Sequence, residues 1–338
     1  MGSMKIISTV ALQPSQRAAI ASAAPGAELL DRQIRSPEEF SELVSGGCDV
    51  LLTFRLPHDV TNRAPGLRWI QLLSAGADRV LDGPLKGSSI PLTTASGIHA
   101  TPIAEYTMGS MLAYAHRIHL AIRAQIRHEW SRSRNLTENS DELRGRTIGI
   151  VGYGSIGRET ARLAQAFGMT VLALKRDPAQ RRDPGWCPAG LGDPEGAIPA
   201  RFFGSGQCES ILRESDYVSV TLPLSAHTHK FIGAREIAAM KPGAYLVNIG
   251  RGPVIDEAAM ATALKAGKIG GAGLDVFERE PLEATSPLWD MENVILTPHI
   301  SGDSPDYMDK ACELFVENLK RFAANRPLLN LVDPKLGY

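Results

Sequence analysis

Short runs of apolar residues alternate with amphipathic stretches along almost the whole chain. The runs have the length of strands, and between them apolar residues recur at the three- and four-residue spacing of a helix. This alternation is typical of α/β proteins with parallel sheets. It predicts two series of strands, the first at residues 5–10, 49–54, 68–73 and 92–94, and the second at residues 146–151, 170–174, 217–222, 244–249, 271–276 and 293–296.

Three helices and one irregular segment stand out between these strands. A helix is predicted near residues 15–24, and another over residues 103–120 is apolar around most of its circumference. We expect the latter to be buried on several sides, between domains or subunits. The last helix follows Ser304-Pro305, and if it packs on the first series of strands the amino-terminal domain is discontinuous. Residues 177–207 are rich in Gly and Pro and are expected to form a surface excursion.

Composition and charge narrow the class of protein. The 338 residues correspond to about two domains, and 43% apolar with 22% charged residues is an ordinary globular composition. A formal charge of −1 argues against a nucleic-acid partner, and no apolar run reaches the roughly 20 residues of a membrane span. The four cysteines lack metal-ligand spacing, and the first residues lack the layout of a secretory signal. We therefore expect a cytoplasmic protein with no metal, nucleic-acid or membrane partner.

A glycine-rich motif, Gly152-Tyr153-Gly154-Ser155-Ile156-Gly157, follows the predicted strand at residues 146–151 and opens an amphipathic helix. In such a loop the first glycine allows a tight turn, the second lets a pyrophosphate approach the backbone, and the third lets helix and strand pack closely. The phosphates then meet unpaired N–H groups at the helix N-terminus. Because strand, loop and helix occur together, the sequence predicts a dinucleotide-binding site formed by Gly152, Gly154, Ser155, Ile156 and Gly157.

The end of the next predicted strand, at residues 170–174, indicates which dinucleotide is bound. A carboxylate at that place usually holds the ribose 2′-hydroxyl of NAD. This chain has Lys175 there, followed by Arg176, and the two cations can pair with a 2′-phosphate that a carboxylate would repel. The sequence therefore predicts NADP(H) in preference to NAD(H). A pair of solvated surface cations is the simpler structural interpretation.

Three polar residues follow apolar strands of the second series: Arg251, Glu280 and His299. Successive parallel strands with right-handed crossovers end at the same edge of a sheet, so we expect these side chains to converge. Reduction of a 2-keto acid needs such a set. An arginine grips the substrate carboxylate, an imidazolium donates a proton to the carbonyl oxygen, and a carboxylate holds the imidazole. Each residue alone has a structural explanation, but together with the dinucleotide loop they predict hydride-transfer catalysis.

Beyond the glycine motif, three further blocks carry a family signature. They are Val247-Asn248-Ile249-Gly250-Arg251-Gly252-Pro253-Val254-Ile255-Asp256-Glu257, the block Gly271-Ala272-Gly273-Leu274-Asp275-Val276-Phe277-Glu278-Arg279-Glu280-Pro281-Leu282, and Ser286-Pro287-Leu288-Trp289 with Asn293-Val294-Ile295-Leu296-Thr297-Pro298-His299-Ile300. Together these blocks resemble the D-isomer-specific 2-hydroxyacid dehydrogenase family. The resemblance implies two doubly wound parallel-sheet α/β domains: a Rossmann cofactor domain at residues 101–301, inserted into a smaller flavodoxin-like substrate domain at residues 4–100 and 302–338. It also implies homodimers formed largely through the cofactor domain.

The resemblance also implies roles for individual residues. By matching position, Arg251 would orient the substrate, His299 would be the acid/base and Glu280 its partner. Asp275 would bond the nicotinamide carboxamide. The other positions implied beside the cofactor, where Arg251 and His299 also lie, are Thr221, Leu222, Pro223, Ile249, Gly250 and Gly302. The substrate-binding set implied is Ser74, Ala75 and Gly76, together with Arg251 and His299.

Three positions admit a second interpretation. The turn Ser74-Ala75-Gly76 resembles the loop whose N–H groups hold the substrate carboxylate, but an ordinary tight turn would look the same. Thr94 stands where many family members carry Asn, and Lys175 stands where an acidic residue is usual. The first difference leaves open how the substrate side is hydrogen-bonded, and the second bears on the choice of cofactor.

The sequence thus predicts an oxidoreductase that transfers a hydride from NAD(P)H to a small 2-keto acid, such as glyoxylate, hydroxypyruvate or pyruvate, to give a D-2-hydroxy acid. The alternative is a nucleotide-sensing scaffold similar to the transcriptional corepressors built on this fold, which would dimerise and be catalytically weak. The near-neutral charge and the complete set of Arg251, Glu280 and His299 favour the enzyme. Neither the particular keto acid nor the direction of the reaction follows from the sequence.

Overall fold

Two parallel β-sheets, of five and seven strands, organise the part of the chain that the computed structural model describes, residues 3–81, 83–130 and 140–337. The chain divides into two compact units around these sheets. Unit 1 takes the described residues of Met1–Ile98, Pro184–Trp186 and Ser304–Tyr338, and unit 2 takes those of His99–Asp183 and Cys187–Asp303.

Unit 1 is built on the five-stranded sheet, with the order β2-β1-β3-β4-β5. Its strands are β1 (Lys5–Ser8), β2 (Glu28–Asp31), β3 (Val50–Thr53), β4 (Trp69–Leu72) and β5 (Leu92–Thr93). Its helices are α1 (Pro14–Ala23), α2 (Pro37–Val44), α3 (Val60–Arg63), α4 (Asp78–Leu81) and α11 (Tyr307–Ala323). This strand order is that of flavodoxin-like folds. Trp69 of β4 stacks on Phe315 of α11 with their ring centroids 5.3 Å apart, so the last helix completes the core of this unit.

Unit 2 is built on the seven-stranded sheet, with the order β12-β11-β10-β9-β6-β7-β8. Its strands are β6 (Thr147–Val151), β7 (Thr170–Leu174), β8 (Arg201–Phe203), β9 (Tyr217–Val220), β10 (Tyr245–Asn248), β11 (Gly271–Leu274) and β12 (Val294–Leu296). Its helices are α5 (Ala100–Ala115), α6 (Ile118–Ile126), α7 (Ser155–Ala166), α8 (Cys208–Glu214), α9 (Ala234–Ala239) and α10 (Glu257–Lys265). The strands run to one side from β6 to β8 and to the other side from β9 to β12, which is the Rossmann arrangement.

The strands of unit 2 read as continuous apolar runs because both faces of the sheet are covered. On β6, Ile148 and Ile150 belong to a core cluster shared with α5 and α7, whereas Val151 belongs to the opposite cluster, shared with α8, α9 and α10. Neighbouring residues of a strand point to opposite faces, so a strand buried on both sides needs apolar residues at every position. The predicted fold class, two doubly wound parallel-sheet domains, is confirmed.

The elements that the sequence pattern misses include β2, α2 and β8, and the pattern merges two others. It misses β2, an edge strand whose residues alternate between exposed and half-buried, together with the helix α2 that follows it. It also misses β8, which lies within residues 177–207. The prediction that this whole segment is irregular is therefore wrong. The helix predicted over residues 103–120 is two helices, because Arg117 between α5 and α6 has a left-handed φ of 56°.

No helix among the described residues combines the length and the hydropathy of a transmembrane span.

Cys48, Cys208 and Cys312 are buried, and burial raises the pKa of each of these thiols to about 12. The three side chains are therefore uncharged and weakly reactive near neutral pH.

Candidate active site

The predicted cofactor and catalytic segments of unit 2 all follow the carboxyl ends of strands. Every pairing in the seven-stranded sheet is parallel, so these ends lie along one edge. The strand order reverses between β6 and β9, and ligands of open α/β sheets bind in the crevice at such a switch point. The glycine motif follows β6, and Thr221-Leu222-Pro223 follows β9. These two segments therefore flank the crevice.

The three glycines of the motif have different surroundings. Gly152 has a φ of +108°, a conformation that favours glycine. A Cβ atom on Gly157 would lie 2.4 Å from the carbonyl oxygen of Gly152, so α7 packs on the loop only with glycine there. Gly154, by contrast, has no atom within 4 Å of the place a Cβ would take. The open space over Gly154, at the N-terminus of α7 where Ser155 and Ile156 begin the helix, fits a pyrophosphate.

The backbone on the far side of the crevice lies against the glycine motif. The Thr221 hydroxyl donates a hydrogen bond to the carbonyl oxygen of Gly152. A Cβ atom on Gly250 would lie 2.7 Å from the carbonyl oxygen of Leu222. Ile249 is buried beside them, and its backbone N–H donates to Val220 at 3.3 Å. The structure thus brings the segments after β6, β9 and β10 together, as the sequence predicts for cofactor-binding segments.

Lys175 and Arg176 follow β7 at the same edge, in different settings. Arg176 is exposed, whereas Lys175 is half-buried and its ammonium group donates to the carbonyl oxygen of Gln180. Burial, assisted by the charge of Arg158, lowers the pKa of Lys175. Lys175 therefore loses its positive charge at a lower pH than an exposed lysine.

His299 and Glu280 form a close pair at the ends of β12 and β11. His299 Nδ1 lies 2.8 Å from Glu280 Oε2, and Glu280 Oε1 accepts a hydrogen bond from the backbone N–H of Phe277 at 3.2 Å. The two side chains are 46% and 32% exposed. A carboxylate only accepts, so Nδ1 carries the shared proton and Nε2 is left to exchange a proton with a ligand.

Asp275 is fully buried after β11 and holds the turn that carries His299. Its Oδ1 accepts hydrogen bonds from the Thr297 hydroxyl at 2.6 Å and from the backbone N–H of Ile300 at 2.9 Å. Its Oδ2 accepts from the backbone N–H of Ser301 at 2.9 Å. Asp275 thus accepts three hydrogen bonds from groups of unit 2. The family resemblance assigns the same residue a contact with the nicotinamide carboxamide.

Arg251 follows β10, the neighbour of β11, and its own turn is held by Asn248. The Arg251 guanidinium donates to the carbonyl oxygen of Gly250 at 2.9 Å. The Asn248 side chain donates to the carbonyl oxygen of Arg251 and accepts from the N–H of Gly250, both at 3.3 Å. Sequence reasoning gave Asn248 no role, although it stands inside the block that carries Arg251. An Asn two or three residues before a tight turn is a recognisable turn signal.

Two predicted segments lie elsewhere. Gly302 follows the His299 turn in unit 2, and a Cβ atom there would lie 3.1 Å from the His99 ring. Ser74, Ala75 and Gly76 follow β4 in unit 1, where the Ser74 hydroxyl donates to the carbonyl oxygen of Gly76 at 3.0 Å. The segment is a bend held by this contact, and its role in substrate binding stays a prediction.

Sequence reasoning missed Tyr106 and Thr297. The Tyr106 hydroxyl on α5 lies 2.6 Å from the Thr297 hydroxyl, across 191 positions of sequence. Thr297 was part of a family block but had no assigned role, and Tyr106 is one aromatic residue in an apolar helix. No local signal distinguishes it, because its partner is set by the packing of α5 on the sheet.

A Rossmann sheet with a glycine loop at its switch point and an imidazole–carboxylate pair on the same edge defines a dinucleotide-dependent oxidoreductase. Comparison with known proteins identifies the family. Residues 108–301 match the family model described as D-isomer specific 2-hydroxyacid dehydrogenase, NAD binding domain. The chain is 36% identical to a glyoxylate reductase of Thermofilum pendens over 272 residues, which is 80% of this chain and 76% of the relative.

Solved structures share the fold over the whole chain. A D-isomer specific 2-hydroxyacid dehydrogenase of Xanthobacter autotrophicus Py2, in complex with NADPH and MES, has a TM-score of 0.78 and 29% identity, with 100% of both chains covered. An NADPH-dependent glyoxylate/hydroxypyruvate reductase of Sinorhizobium meliloti, in complex with NADP and sulfate, has a TM-score of 0.78 and 27% identity, with 99% of this chain and 100% of that chain covered. The chain therefore belongs to the D-isomer specific 2-hydroxyacid dehydrogenase family and is an NAD(P)-dependent oxidoreductase.

Proposed function

We propose that the protein reduces a small 2-keto acid to the D-2-hydroxy acid, with His299 as the proton donor, Glu280 as its partner and Arg251 orienting the substrate. The observation that carries this proposal is the 2.8 Å contact between His299 Nδ1 and Glu280 Oε2 at the carboxyl edge of the Rossmann sheet. The names of the relatives, a glyoxylate reductase and a glyoxylate/hydroxypyruvate reductase, support a short, polar keto acid as the substrate.

The mechanism assigns one task to each side chain. The dinucleotide, when bound, supplies the hydride for the carbonyl carbon. The His299 imidazolium donates its Nε2 proton to the carbonyl oxygen of the substrate. Glu280 accepts a hydrogen bond from Nδ1. This hydrogen bond fixes the tautomer of the ring and stabilises the imidazolium before the ring donates its Nε2 proton. The planar guanidinium of Arg251 pairs with the substrate carboxylate through two parallel hydrogen bonds.

The binding residues belong to the same proposal. Amide groups at the N-terminus of α7 would hold the pyrophosphate, and the segments at the strand ends would bind the rest of the dinucleotide. The cofactor set is Gly152, Gly154, Ser155, Ile156, Gly157, Lys175, Arg176, Thr221, Leu222, Pro223, Ile249, Gly250, Asp275 and Gly302. Unit 2 is the cofactor domain, and unit 1, with Ser74, Ala75 and Gly76, is the substrate domain of a cytoplasmic enzyme.

We propose a preference for NADP(H) over NAD(H). Two cations, Lys175 and Arg176, follow β7 in the place where a carboxylate would otherwise hold the ribose 2′-hydroxyl. The relatives whose structures contain NADPH or NADP support the same choice. The preference is measured as the ratio of kcat/KM for NADPH to that for NADH, and a tenfold preference for NADH would contradict it.

The test of the reaction is the loss of absorbance at 340 nm (the NAD(P)H band) with glyoxylate, hydroxypyruvate, pyruvate and bulkier 2-keto acids. We expect turnover with a clear rank order that favours the small substrates. In the reverse direction, D-glycerate should be oxidised and L-glycerate should not. Tight NADPH binding without turnover of any keto acid would refute the proposal and favour the nucleotide-sensing scaffold.

We propose that the protein is a homodimer and that α6 contributes to the contact. One side of this helix exposes apolar residues at four-residue intervals, and they are Ile118, Ile122, Ile126 and, just beyond the helix, Trp130. Such an exposed apolar stripe is typical of an interaction site. Light scattering should give about twice the 36.4 kDa chain mass, and Ile122→Arg should give monomers. A monomeric parent protein would overturn this part.

A further inference from the structure

We infer that Tyr106 and Thr297 are positioning residues for His299, and that they act through the buried carboxylate of Asp275. The inference rests on the proposed role of His299 as proton donor. All four residues belong to unit 2. Hydrogen bonds join them in one chain, from α5 to the turn that follows β12.

The turn that carries His299 needs support from outside itself. The φ of His299 is +57°, in the left-handed region that residues other than glycine seldom adopt. The next two backbone N–H groups, those of Ile300 and Ser301, both donate to Asp275 at 2.9 Å. Glu280 holds the His299 ring at Nδ1, whereas Asp275 holds the backbone that aims this ring. The direction of Nε2 therefore depends on both carboxylates.

The donors and acceptors along the chain of hydrogen bonds can be assigned. Asp275 accepts from the backbone N–H groups of Ile300 and Ser301, and a carboxylate oxygen can only accept. The Thr297 hydroxyl therefore donates to Asp275, and its oxygen is left to accept from the phenol of Tyr106, 2.6 Å away. Burial raises the pKa of Tyr106 to about 12, so the phenol keeps the proton that it donates.

Tyr106 reaches Thr297 because α5 lies very close to β11. A Cβ atom on Gly273 would lie 2.1 Å from the Ser110 hydroxyl, and one on Gly271 would lie 2.5 Å from the Tyr114 ring. A larger residue at either position would collide with these side chains, so that the side chains or the helix would have to shift. Ser110 in turn bonds the hydroxyl of Tyr245 at 2.8 Å, which fixes the helix along its axis as well.

The packing of α5 on β11 continues along both elements as far as the proposed active site. The helix row and the strand row that face each other are Tyr114, Ser110 and Tyr106 on α5, and Gly271, Gly273 and Asp275 on and just after β11. Four helical residues rise about 6.0 Å and two strand residues about 6.6 Å. The two rows therefore stay in register over this length. Tyr106 lies about one helical turn from Ser110, and Thr297 bridges Tyr106 to Asp275 by hydrogen bonds.

Thr297 is the member of the chain that best separates positioning from bulk stability. Thr297→Val keeps the shape of the side chain but removes the donor to Asp275 and the acceptor of Tyr106. Thr297→Ser restores the hydroxyl. Thr107→Val is the matched control, because Thr107 is a buried threonine whose hydroxyl donates to the carbonyl oxygen of Ile103 in its own helix, 2.8 Å away.

Steady-state kinetics form the first arm of the test. Misplacement of a reacting group by a fraction of an ångström slows the chemical step while it leaves substrate binding largely intact, so we expect Thr297→Val to lower kcat about tenfold with KM changed less than about twofold. Tyr106→Phe should lower kcat about threefold, because Thr297 still donates to Asp275. Thr297→Ser and Thr107→Val should stay within about twofold of the parent protein. An equal loss in Thr297→Ser and Thr297→Val would overturn the inference.

The second arm observes His299 without turnover. In protein labelled with ¹⁵N-histidine, the His299 ring signals are assigned by their absence from His299→Gln. We expect Thr297→Val to shift these signals and broaden them, and Thr297→Ser and Thr107→Val to leave them in place. A Thr297→Val protein that melts earlier but keeps the parent His299 signals and kcat would show that Thr297 is only structural. If the parent protein turns over no keto acid, the proposed function fails, while the ring signals still decide whether Thr297 positions His299.

Discussion

Two clusters of charged side chains in unit 2 differ in how deeply they are buried. The His299–Glu280 pair has side chains 46% and 32% exposed, and its contact uses Nδ1 of the imidazole. Arg158 and Glu159 on α7 have side chains only 3% and 1% exposed. Both clusters would attract attention in a search for buried or paired charges, but they differ in exposure and in the partners of their groups.

The partners of the α7 cluster explain its role. Arg158 pairs with Asp183 at 3.1 Å and donates to backbone carbonyl oxygens of the segment that follows β7, and Glu159 accepts from the N–H of Gly192 at 2.6 Å. Asp193 is buried beside them and accepts from the hydroxyl of Tyr153 at 2.7 Å. These contacts use the polar groups to fasten the segment after β7 onto α7. A deeply buried cluster that binds backbone groups is typical of a structural role, whereas the half-exposed His299–Glu280 pair is the one we propose for catalysis.

The sharpest test of this contrast removes the imidazole. His299→Ala should lower kcat at least about a hundredfold, because loss of a positioned general acid costs about 10²–10⁴ in rate. NADPH binding, followed by its fluorescence, should be unchanged. His116→Ala, at an exposed histidine after α5, is the matched control and should keep the parent rate. A near-normal kcat for His299→Ala would contradict its role as proton donor.

In contrast to His299→Ala, Arg158→Met is expected to lower the stability of the fold. Removing one partner from a buried, hydrogen-bonded charge cluster costs about 3 kcal/mol of unfolding free energy, because the remaining groups are left unpaired. Urea denaturation measures this loss. Arg182→Ala breaks an ion pair whose side chains are 78% and 65% exposed and should change the stability by less than about 0.5 kcal/mol. Equal stability of Arg158→Met and the parent protein would show that the cluster does not fasten the segment.

The role of Glu280 in the exposed pair is tested by a variant that removes the charge of its side chain but keeps the shape. Glu280→Gln should lower kcat for reduction about tenfold to a hundredfold. Reduction needs the imidazolium, and loss of an anion 2.8 Å from Nδ1 disfavours the charged ring. A parent-like kcat for Glu280→Gln would be inconsistent with Glu280 as the partner.

The smallest effect concerns the cofactor. Because burial lowers the pKa of Lys175, its positive charge is lost at a lower pH than that of an exposed lysine. The ratio of kcat/KM for NADPH to that for NADH should therefore fall as the pH rises, by about threefold to tenfold for one partly exposed charge contact. Lys175→Arg should remove most of this decline. A ratio independent of pH in the parent protein would place the 2′-phosphate contact elsewhere, with Arg176 as the first alternative.

Local chemistry made much of the fold and of the active-site segments predictable. The glycine motif, the strands around it and the polar residues at strand ends each depend on neighbours within a few positions. The elements that were missed have weak local signals. β2 is a polar edge strand, β8 has three residues, and the break at Arg117 depends on a left-handed φ in a non-glycine residue. Contacts such as Tyr106 with Thr297 join positions 191 apart and leave no periodic trace.

The sequence by itself determined the class of fold, the place of the dinucleotide loop and the identity of the strand-end residues, because parallel strands put their carboxyl ends on one edge whatever else the chain does. Only the tertiary structure decided how those residues are held. Glycine at positions 271 and 273 lets α5 lie against β11, and that approach sets which hydroxyl meets Asp275 and how the His299 turn is supported. Such contacts depend on distances across packed elements, and no pattern along the chain encodes those distances directly.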